Sequence, residues 1–292
     1  MAVEQGVLKL VTYNIHYGHG QDGCIDLVRI AEAVRGADII GLQEVDRFWQ
    51  RTGMVDQALS LAELLPGYVW IYGPGYDAPA QGSHPESDSA EQRGRRRQHG
   101  NMILSRWPIL SSRVMPLPKA RPSQFCQLRV LLEAVIIPPG GAMRVVCTHL
   151  CHISSATRLP QVEQLHRYRR MLQQEGATWS GDDLDGHAWA DGEDPPPCPH
   201  DIVIMGDLNM TPDSEEYRRL VGNDSGLEDS WAALGHDPAA PEAWSCISLK
   251  DRRKLRLDYI TVSSGLTERL KNTWIDQKCQ ASDHCPLWLK MG

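Results

Sequence analysis

The run Ile202-Val203-Ile204-Met205 is apolar and rich in β-branched residues, and it ends abruptly at Gly206-Asp207-Leu208-Asn209. A continuous apolar run this short, closed by glycine and polar residues, reads as a strand buried on both faces. Along an extended chain residues i and i+2 lie on one side, so Asp207 and Asn209 stand together at the strand's carboxyl end, where sheet proteins commonly place ligand sites. A carboxylate beside an amide suits an attacking or metal-bound water. The same pentapeptide also fits an ordinary strand end followed by a turn, and the rest of the sequence has to decide between them.

The pattern recurs along the chain. Residues 8–13 and 37–42 read as further buried strands, the first stopped by Asn14 and the second by Gln43-Glu44. Between them, Leu27, Ile30, Ala31 and Val34 share one helical face, with Asp26 placed to cap the helix. Residues 57–65 read as a helix stopped by Pro66-Gly67, and 68–72 as a strand. Strand-like runs at 101–105, 109–117, 127–137 and 142–150, joined by short turn-rich links, predict a local antiparallel meander. Helical patterns come next at 156–174 and 214–220, and strands at 257–262 and 285–289. This order implies mixed sheets with helices outside. Two polar segments, 77–100 with Arg93, Arg95, Arg96 and Arg97, and 176–200 with many acids, read as surface insertions in a single domain spanning 1–292.

At 292 residues and 41% hydrophobic, the chain supports one large core. It has neither heptads nor an apolar run long enough to span a membrane. The start Met1-Ala2-Val3-Glu4-Gln5 lacks a basic, apolar leader, which leads to the expectation of a cytoplasmic protein. Eight scattered cysteines, with no zinc spacing, fit buried reduced thiols. A net charge of −7 disfavours indiscriminate duplex binding but leaves room for a local cationic groove.

The polar groups at the strand ends are of one character: Asn14, Glu44, Thr148-His149, Asp207 with Asn209, and Ser282-Asp283-His284, with Asp258 as a sixth position. Singly, each has an ordinary structural account, since Asn14 fits a turn cap, Glu44 a surface acid and His149 a satisfied core histidine. Together they furnish a pocket over a sheet edge. The inventory suits phosphoester hydrolysis, which needs a cation, a positioned water and donors to oxygens that gain charge. Glu44 and Asp283 are hard oxygen ligands of the kind Mg²⁺ takes.

The ordered motifs YNIHYG, LQEVD, GNMILSR, THL, GDLN, LDYI and SDHCPL resemble those of the endonuclease/exonuclease/phosphatase superfamily of metal-dependent phosphoesterases, across residues 8–289. The resemblance implies a four-layer α/β/β/α sandwich of two mixed, mainly antiparallel sheets flanked by helices. It implies Mg²⁺, or Mn²⁺, held by Glu44, with Asn14 and Asp283 as further ligands, direct or through water. It gives Asp207 the attacking water and makes Asn209 its partner at the phosphate. His284 becomes the site histidine, Asp258 the carboxylate fixing its tautomer, and His149 a second phosphate contact. Whether the aspartate or the histidine is the base stays open.

The substrate is not legible. Arg129 and Asn101 sit where relatives face the substrate, yet a salt bridge and a turn contact account for them equally well. The Arg93–Arg97 cluster fits a polyanion grip or a solvated loop, and Trp179 and Trp189 fit a site cover or local packing. The opening motifs most resemble generic bacterial metal-dependent hydrolases of the superfamily. The expectation is a phosphodiesterase acting on an unidentified phosphoester. DNA or RNA cleavage is the first alternative, a phosphomonoesterase or lipid phosphodiesterase the next, and a non-catalytic binding module the last.

Overall fold

The structure, a computed structural model, describes residues 6–80, 94–121, 125–181, 190–222 and 225–292. In chain order its strands and α-helices begin with β1 (Leu8–Asn14), α1 (Leu27–Val34), β2 (Ile39–Arg47), α2 (Gln57–Leu64), β3 (Val69–Pro79) and β4 (Arg96–Ser105). Next come β5 (Ile109–Pro116), β6 (Val130–Ile136), β7 (Met143–His149), α3 (Ser155–Glu175), β8 (Ile202–Asp207) and α4 (Glu215–Val221). The chain closes with β9 (Leu227–Asp229), α5 (Ser230–Ala233), β10 (Cys246–Ile247), β11 (Lys254–Leu255), β12 (Asp258–Ser263), β13 (Leu270–Ile275) and β14 (Leu287–Met291).

Two six-stranded sheets carry the molecule, ordered β13-β14-β1-β2-β4-β3 and β5-β6-β7-β8-β12-β9, and β10 with β11 forms a small ribbon. The pairs β1–β2 and β7–β8 are parallel and the remaining pairs in both sheets antiparallel. The two-sided burial read from the apolar runs has a direct cause in side-chain alternation. Leu8 and Leu10 of β1, Ile39 of β2, Val145 and Cys147 of β7, and Val203 and Met205 of β8 enter the layer between the sheets. Their neighbours Val11, Tyr13, Ile40 and Leu42 turn outward beneath Ile30, Ala31 and Val34 of α1 and Ala58 and Leu61 of α2. On the other sheet Val146, Ile202 and Ile204 turn outward beneath Val162, Leu165 and Tyr168 of α3 and Leu220 of α4. The result is four layers, α/β/β/α, as the motif resemblance implies. Asp26 caps α1 through Val28 and Arg29 N–H, as its place in the sequence suggests.

Three features differ from the sequence reading. The meander is shorter: residues 101–105 lie in the first sheet, and the chain crosses to the second between β4 and β5. Alternation alone cannot say which of two sheets a two-faced strand joins. The 77–100 segment is not all loop, because β3 runs to Pro79 and β4 starts at Arg96, with Asp77 opposite Gln98. Arg96 binds Asp77 at 2.6 Å, and Arg97 lies over the Tyr76 ring. These cross-strand pairs sustain strands that have no apolar alternation to announce them. The third difference is in strand extent: β2 passes Glu44 through a bulge and runs on to Arg47, and the short β9, β10, β11 and β13 carry no clear alternation. Arg93 and Trp189 lie outside the described residues. All eight cysteines are free thiols, and among the described residues no helix is long and apolar enough to cross a membrane.

Sheet register aligns the polar strand ends. His149 pairs with Asp207 across β7–β8, and Asp207 with Asp258 across β8–β12. Gly206 permits this, because a Cβ there would lie 1.8 Å from the Thr148 carbonyl oxygen. Gly206→Ala is therefore expected to force β7 and β8 apart and to cost about 2–3 kcal/mol. Urea unfolding measures it, and an unchanged midpoint would contradict the packing account.

Candidate active site

Register places His149, Asp207 and Asp258 side by side at one end of the second sheet. The corresponding end of the first sheet supplies Asn14, paired with Gln43, and Glu44 beyond it. Glu44 sits at a bulge between Leu42 and Val45 with φ of +60°, which turns its side chain out of the strand's alternation. Asn209 lies just past β8 with φ of +50° and returns its N–H to Asp207 Oδ1 at 2.9 Å.

The two ends meet at Asn14. Its Nδ2 donates to Asp207 Oδ2 at 2.9 Å and to Glu44 Oε1 at 3.3 Å, while Oδ1 accepts from His16 N–H at 3.0 Å. In this arrangement Asn14 joins two carboxylates through nitrogen. Ser282 Oγ donates to the Asn14 carbonyl at 2.9 Å and so locks β1 to the turn that carries Asp283 and His284. Asp283 Oδ1 lies 3.3 Å from His16 Nδ1.

His284 Nδ1 lies 2.7 Å from Asp258 Oδ2, which also accepts from Ser245 Oγ at 2.7 Å. Its other nitrogen, Nε2, is 3.6 Å from Asp207 Oδ2. Burial works against the charged ring, but Asp258 and Asp207 together outweigh it and push His284 well above the ordinary histidine range. Asp207 is pushed up to about 7, chiefly by burial and with help from Asp258, against the opposing pull of His284.

His149 is the neutral counterpart. Arg129 Nη1 lies 3.0 Å from its Nδ1, and a guanidinium only donates, so Nδ1 accepts and the ring proton sits on Nε2. That nitrogen is 3.3 Å from Asp207 Oδ2 and 2.9 Å from Asn209 Nδ2, and the carboxylate is the partner able to accept its proton. Burial first, and Arg129 next, hold His149 well below its ordinary value.

Arg129 is buried, and with Glu44, His99, Asn101 and His149 it lines a narrow hollow of about 10 Å³, room for little more than a water. Burial lowers its pKa, and Glu44 and Asp207 pull the other way. Asn101 lines the same cavity, but its Nδ2 donates to the Val130 and Cys147 carbonyls at 3.1 and 3.4 Å. It therefore ties the two sheets together and leaves only its oxygen for a ligand. Trp179 lies elsewhere, beside Arg113 and Met115 of β5.

Several site residues have no role assigned by the sequence reading. His16 stands inside YNIHYG. His99 pairs with Asp46 across β2–β4, and its Nδ1 lies 2.7 Å from Asp46 Oδ1. Arg51 holds both Asp46 oxygens, at 2.7 and 2.9 Å. A signal existed, since Asp46 is two residues past Glu44 and His99 two before Asn101. Ser245, in a stretch without clear periodicity, offered none.

The residues present fit a hard divalent cation. Burial tends to raise the Glu44 carboxyl, but His99, Arg129, His16 and His284 outweigh it and hold it below its ordinary range, ionised. Its side chain is 21% exposed and that of Asp283 16%, so neither is sealed off from solvent. Among the described residues, ligand-type atoms of Asp207, Asp258 and His284 lie within 4.8 Å of one another, as do those of Cys246, Asp283 and His284. Glu44 is in neither group and connects to the first through Asn14 Nδ2.

The raised Asp207 carries a testable sign. Its folded value, about 7, exceeds the unfolded value near ~3.9, so stability tied to this group is full below ~pH 4 and falls as pH rises toward 7. In chelator, Asp207→Asn is expected to be about 1–3 kcal/mol more stable than the parent at pH 8, with the gap closing toward pH 4. Urea unfolding at both pH values measures this, and a less stable variant at pH 8 would contradict the assignment.

The model of the Endonuclease/Exonuclease/phosphatase family matches residues 11–284. Over 122 residues the chain is 33% identical to exodeoxyribonuclease III of Haemophilus influenzae, a match covering 30% of this chain and 44% of that enzyme. The chain thus spans less than half the length of that curated relative. Among solved structures, an endonuclease/exonuclease/phosphatase from Beutenbergia cavernae superposes with a TM-score of 0.68 at 23% identity, over 98% of this chain and 72% of the other. A mannosyl-6-phosphatase of Bacteroides thetaiotaomicron gives 0.61 at 18% identity, over 97% and 98%. At such identities the two structures share the fold.

Proposed function

The chain belongs to the endonuclease/exonuclease/phosphatase family, whose members hydrolyse phosphoesters with divalent metals, and from that premise we propose that it hydrolyses phosphodiesters by in-line attack of water. The observation that carries this reading is the meeting of Asn14 and Glu44 from one sheet with His149, Asp207 and the Asp258–His284 pair from the other.

The burial and charge around each group support one division of roles. Asp207, at about 7, titrates where a general base is useful, and it orients and deprotonates the attacking water. His284 is held protonated by Asp258 and Asp207, so it acts as a donor to a phosphate oxygen and not as the base. Neutral His149, whose Nε2 proton goes to Asp207, holds that carboxylate in place, and Asn209, whose Nδ2 donates to the Leu150 carbonyl at 3.1 Å, keeps its second amide proton for a ligand beside it. Arg129 supplies a fixed positive charge from the adjoining cavity. Glu44, with Asp283 and water, would hold Mg²⁺ or Mn²⁺, and a bound cation would neutralise phosphate charge and acidify water.

A nuclease is the second reading, and one observation favours it. Beside Glu44, Arg51 lies 4.3 Å over both Tyr17 and Trp49, and Arg97 lies 4.7 Å over Trp49 and 5.5 Å over Tyr76. Rings interleaved with guanidinium groups suit stacked bases and backbone phosphates. A panel of bis(p-nitrophenyl) phosphate, an aryl monoester, oligonucleotides, RNA and phosphoinositides, each in Mg²⁺, Mn²⁺ and chelator, separates the readings.

On the aryl diester, Glu44→Ala and His284→Ala are each expected to lower kcat at least about 100-fold with the fold intact. Near-parent turnover by either variant would sink the proposal.

A further inference from the structure

Two thiols that the hydrolytic scheme does not use lie against its phosphate contacts. Cys126 Sγ is 3.5 Å from Cys151 Sγ. Cys126 precedes Arg129 by three residues and Cys151 comes two after His149, so the pair runs alongside the Arg129–His149 contact. Cys151 is buried and tied to α3: its N–H donates to Gln161 Oε1 at 2.8 Å, and its carbonyl accepts from Arg158 Nη1 at 3.2 Å. Cys126 is half-buried in an irregular segment beside Phe125, which is 74% exposed. One sulfur is buried and held by α3, and the other is partly open to solvent, outside any helix or strand, and reaches the Gln127 carbonyl at 3.7 Å besides its partner sulfur.

We propose that Cys126 and Cys151 form an oxidation site: a reversible disulfide that links the segment entering β6 to the segment leaving β7 and lowers turnover by displacing Arg129 from His149. A disulfide brings sulfurs to about 2.05 Å, so closure moves them by roughly 1.5 Å. The irregular 125–129 segment takes up that movement, and Arg129 lies at its end. An ångström of misplacement in an active site costs up to about 100-fold in rate.

The oxidant is a hydroperoxide. The Cys126 thiolate attacks the terminal peroxide oxygen, the O–O bond breaks, and protonation of the leaving oxygen gives an alcohol (water when the oxidant is hydrogen peroxide) and a sulfenic acid on Cys126. The Cys151 thiolate then attacks that sulfur, the S–S bond forms, and hydroxide leaves and is protonated to water. With hydrogen peroxide, two thiols are oxidised by two electrons and one peroxide is reduced to two waters. Burial and the adjoining Cys151 raise the Cys126 thiol, so its reach to solvent and not its acidity selects it for the first step. Burial alone would raise the Cys151 thiol too, but hydrogen bonds from Thr157, the Ile153 N–H and Cys126, with the Arg129 charge, bring it below its ordinary range, which suits the resolving role. Exchange with a dithiol reverses the bond.

The effect on turnover rests on the phosphodiesterase reading, whereas the bond itself does not. The test treats the full chain with hydrogen peroxide, maps linked peptides, counts titratable thiols and assays bis(p-nitrophenyl) phosphate before oxidation, after it, and after dithiothreitol. Expected are one Cys126–Cys151 linked peptide, a fall from eight free thiols to six, and about 10-fold lower turnover restored by the dithiol. Cys126→Ser is expected to form no link and to keep its activity under the same peroxide. Eight thiols remaining after treatment, or equal inactivation of parent and Cys126→Ser, would overturn the proposal. A linked peptide in a chain inactive toward every ester would uphold the oxidation site and sink the phosphodiesterase reading instead.

Discussion

The hydrogen bond from Asn14 Nδ2 to Asp207 Oδ2 joins residues 193 apart in sequence, at the point where the two sheets bring their polar ends together. Its existence depends on both sheets. Parallel pairing of β1 with β2 sets Asn14 beside Gln43 and leaves Glu44 just beyond. Parallel pairing of β7 with β8, continued by antiparallel β12, lines up His149, Asp207 and Asp258. Each sheet builds half a site, and the apolar layer of Leu10, Ile39, Cys147, Val203 and Met205 between them fixes the distance across which the halves meet.

The site is costly to keep folded. Asp207 is a nearly inaccessible acid whose burial favours the protonated form, and Glu44 and Asn209 hold positive φ angles that side-chain-bearing residues seldom adopt. The surroundings supply the compensation. Arg129 and His284 supply positive charge around Glu44, Ser245 and His284 hold Asp258, and Gly206 lets β7 and β8 approach closely enough to pair. Local strain and unfavourable protonation concentrated at one sheet edge, inside an otherwise regular sandwich, mark a place shaped for chemistry more than for stability.

What could be read from residues alone was whatever alternation and punctuation encode. Apolar runs ending in Asn14, His149 and Asp207 located strand ends, and Asp26 located a helix start, whereas Glu44, read as a strand end, lies at a bulge inside β2, which runs on to Arg47. Sheet membership was not legible, because β4 and β5 look alike as strands yet belong to different sheets. The length of the β3–β4 hairpin was hidden for a similar reason: Asp77–Arg96 and Tyr76–Arg97 contacts stabilise it, and polar cross-strand pairs leave no periodic trace. The Asp46–His99 pair escaped because a bulge at Glu44 interrupts the alternation that would have aligned it. Asn101, read as a possible substrate contact, lies in the cavity with its amide nitrogen engaged by Val130 and Cys147. Which side chains share the site was thus largely readable, whereas which nitrogen of His149 carries the proton, and why His284 stays charged, required coordinates.

The central claim is that two half-sites on separate sheets make one cation-binding hollow. Diffraction from crystals soaked in Mn²⁺, recorded for anomalous signal, tests it most directly. The account requires a principal ion within coordination distance of a Glu44 carboxylate oxygen, facing the hollow that Asp207 and His284 share. An ion bound elsewhere with Glu44 unliganded, or no ordered ion at the sheet ends under saturating Mn²⁺, would contradict it.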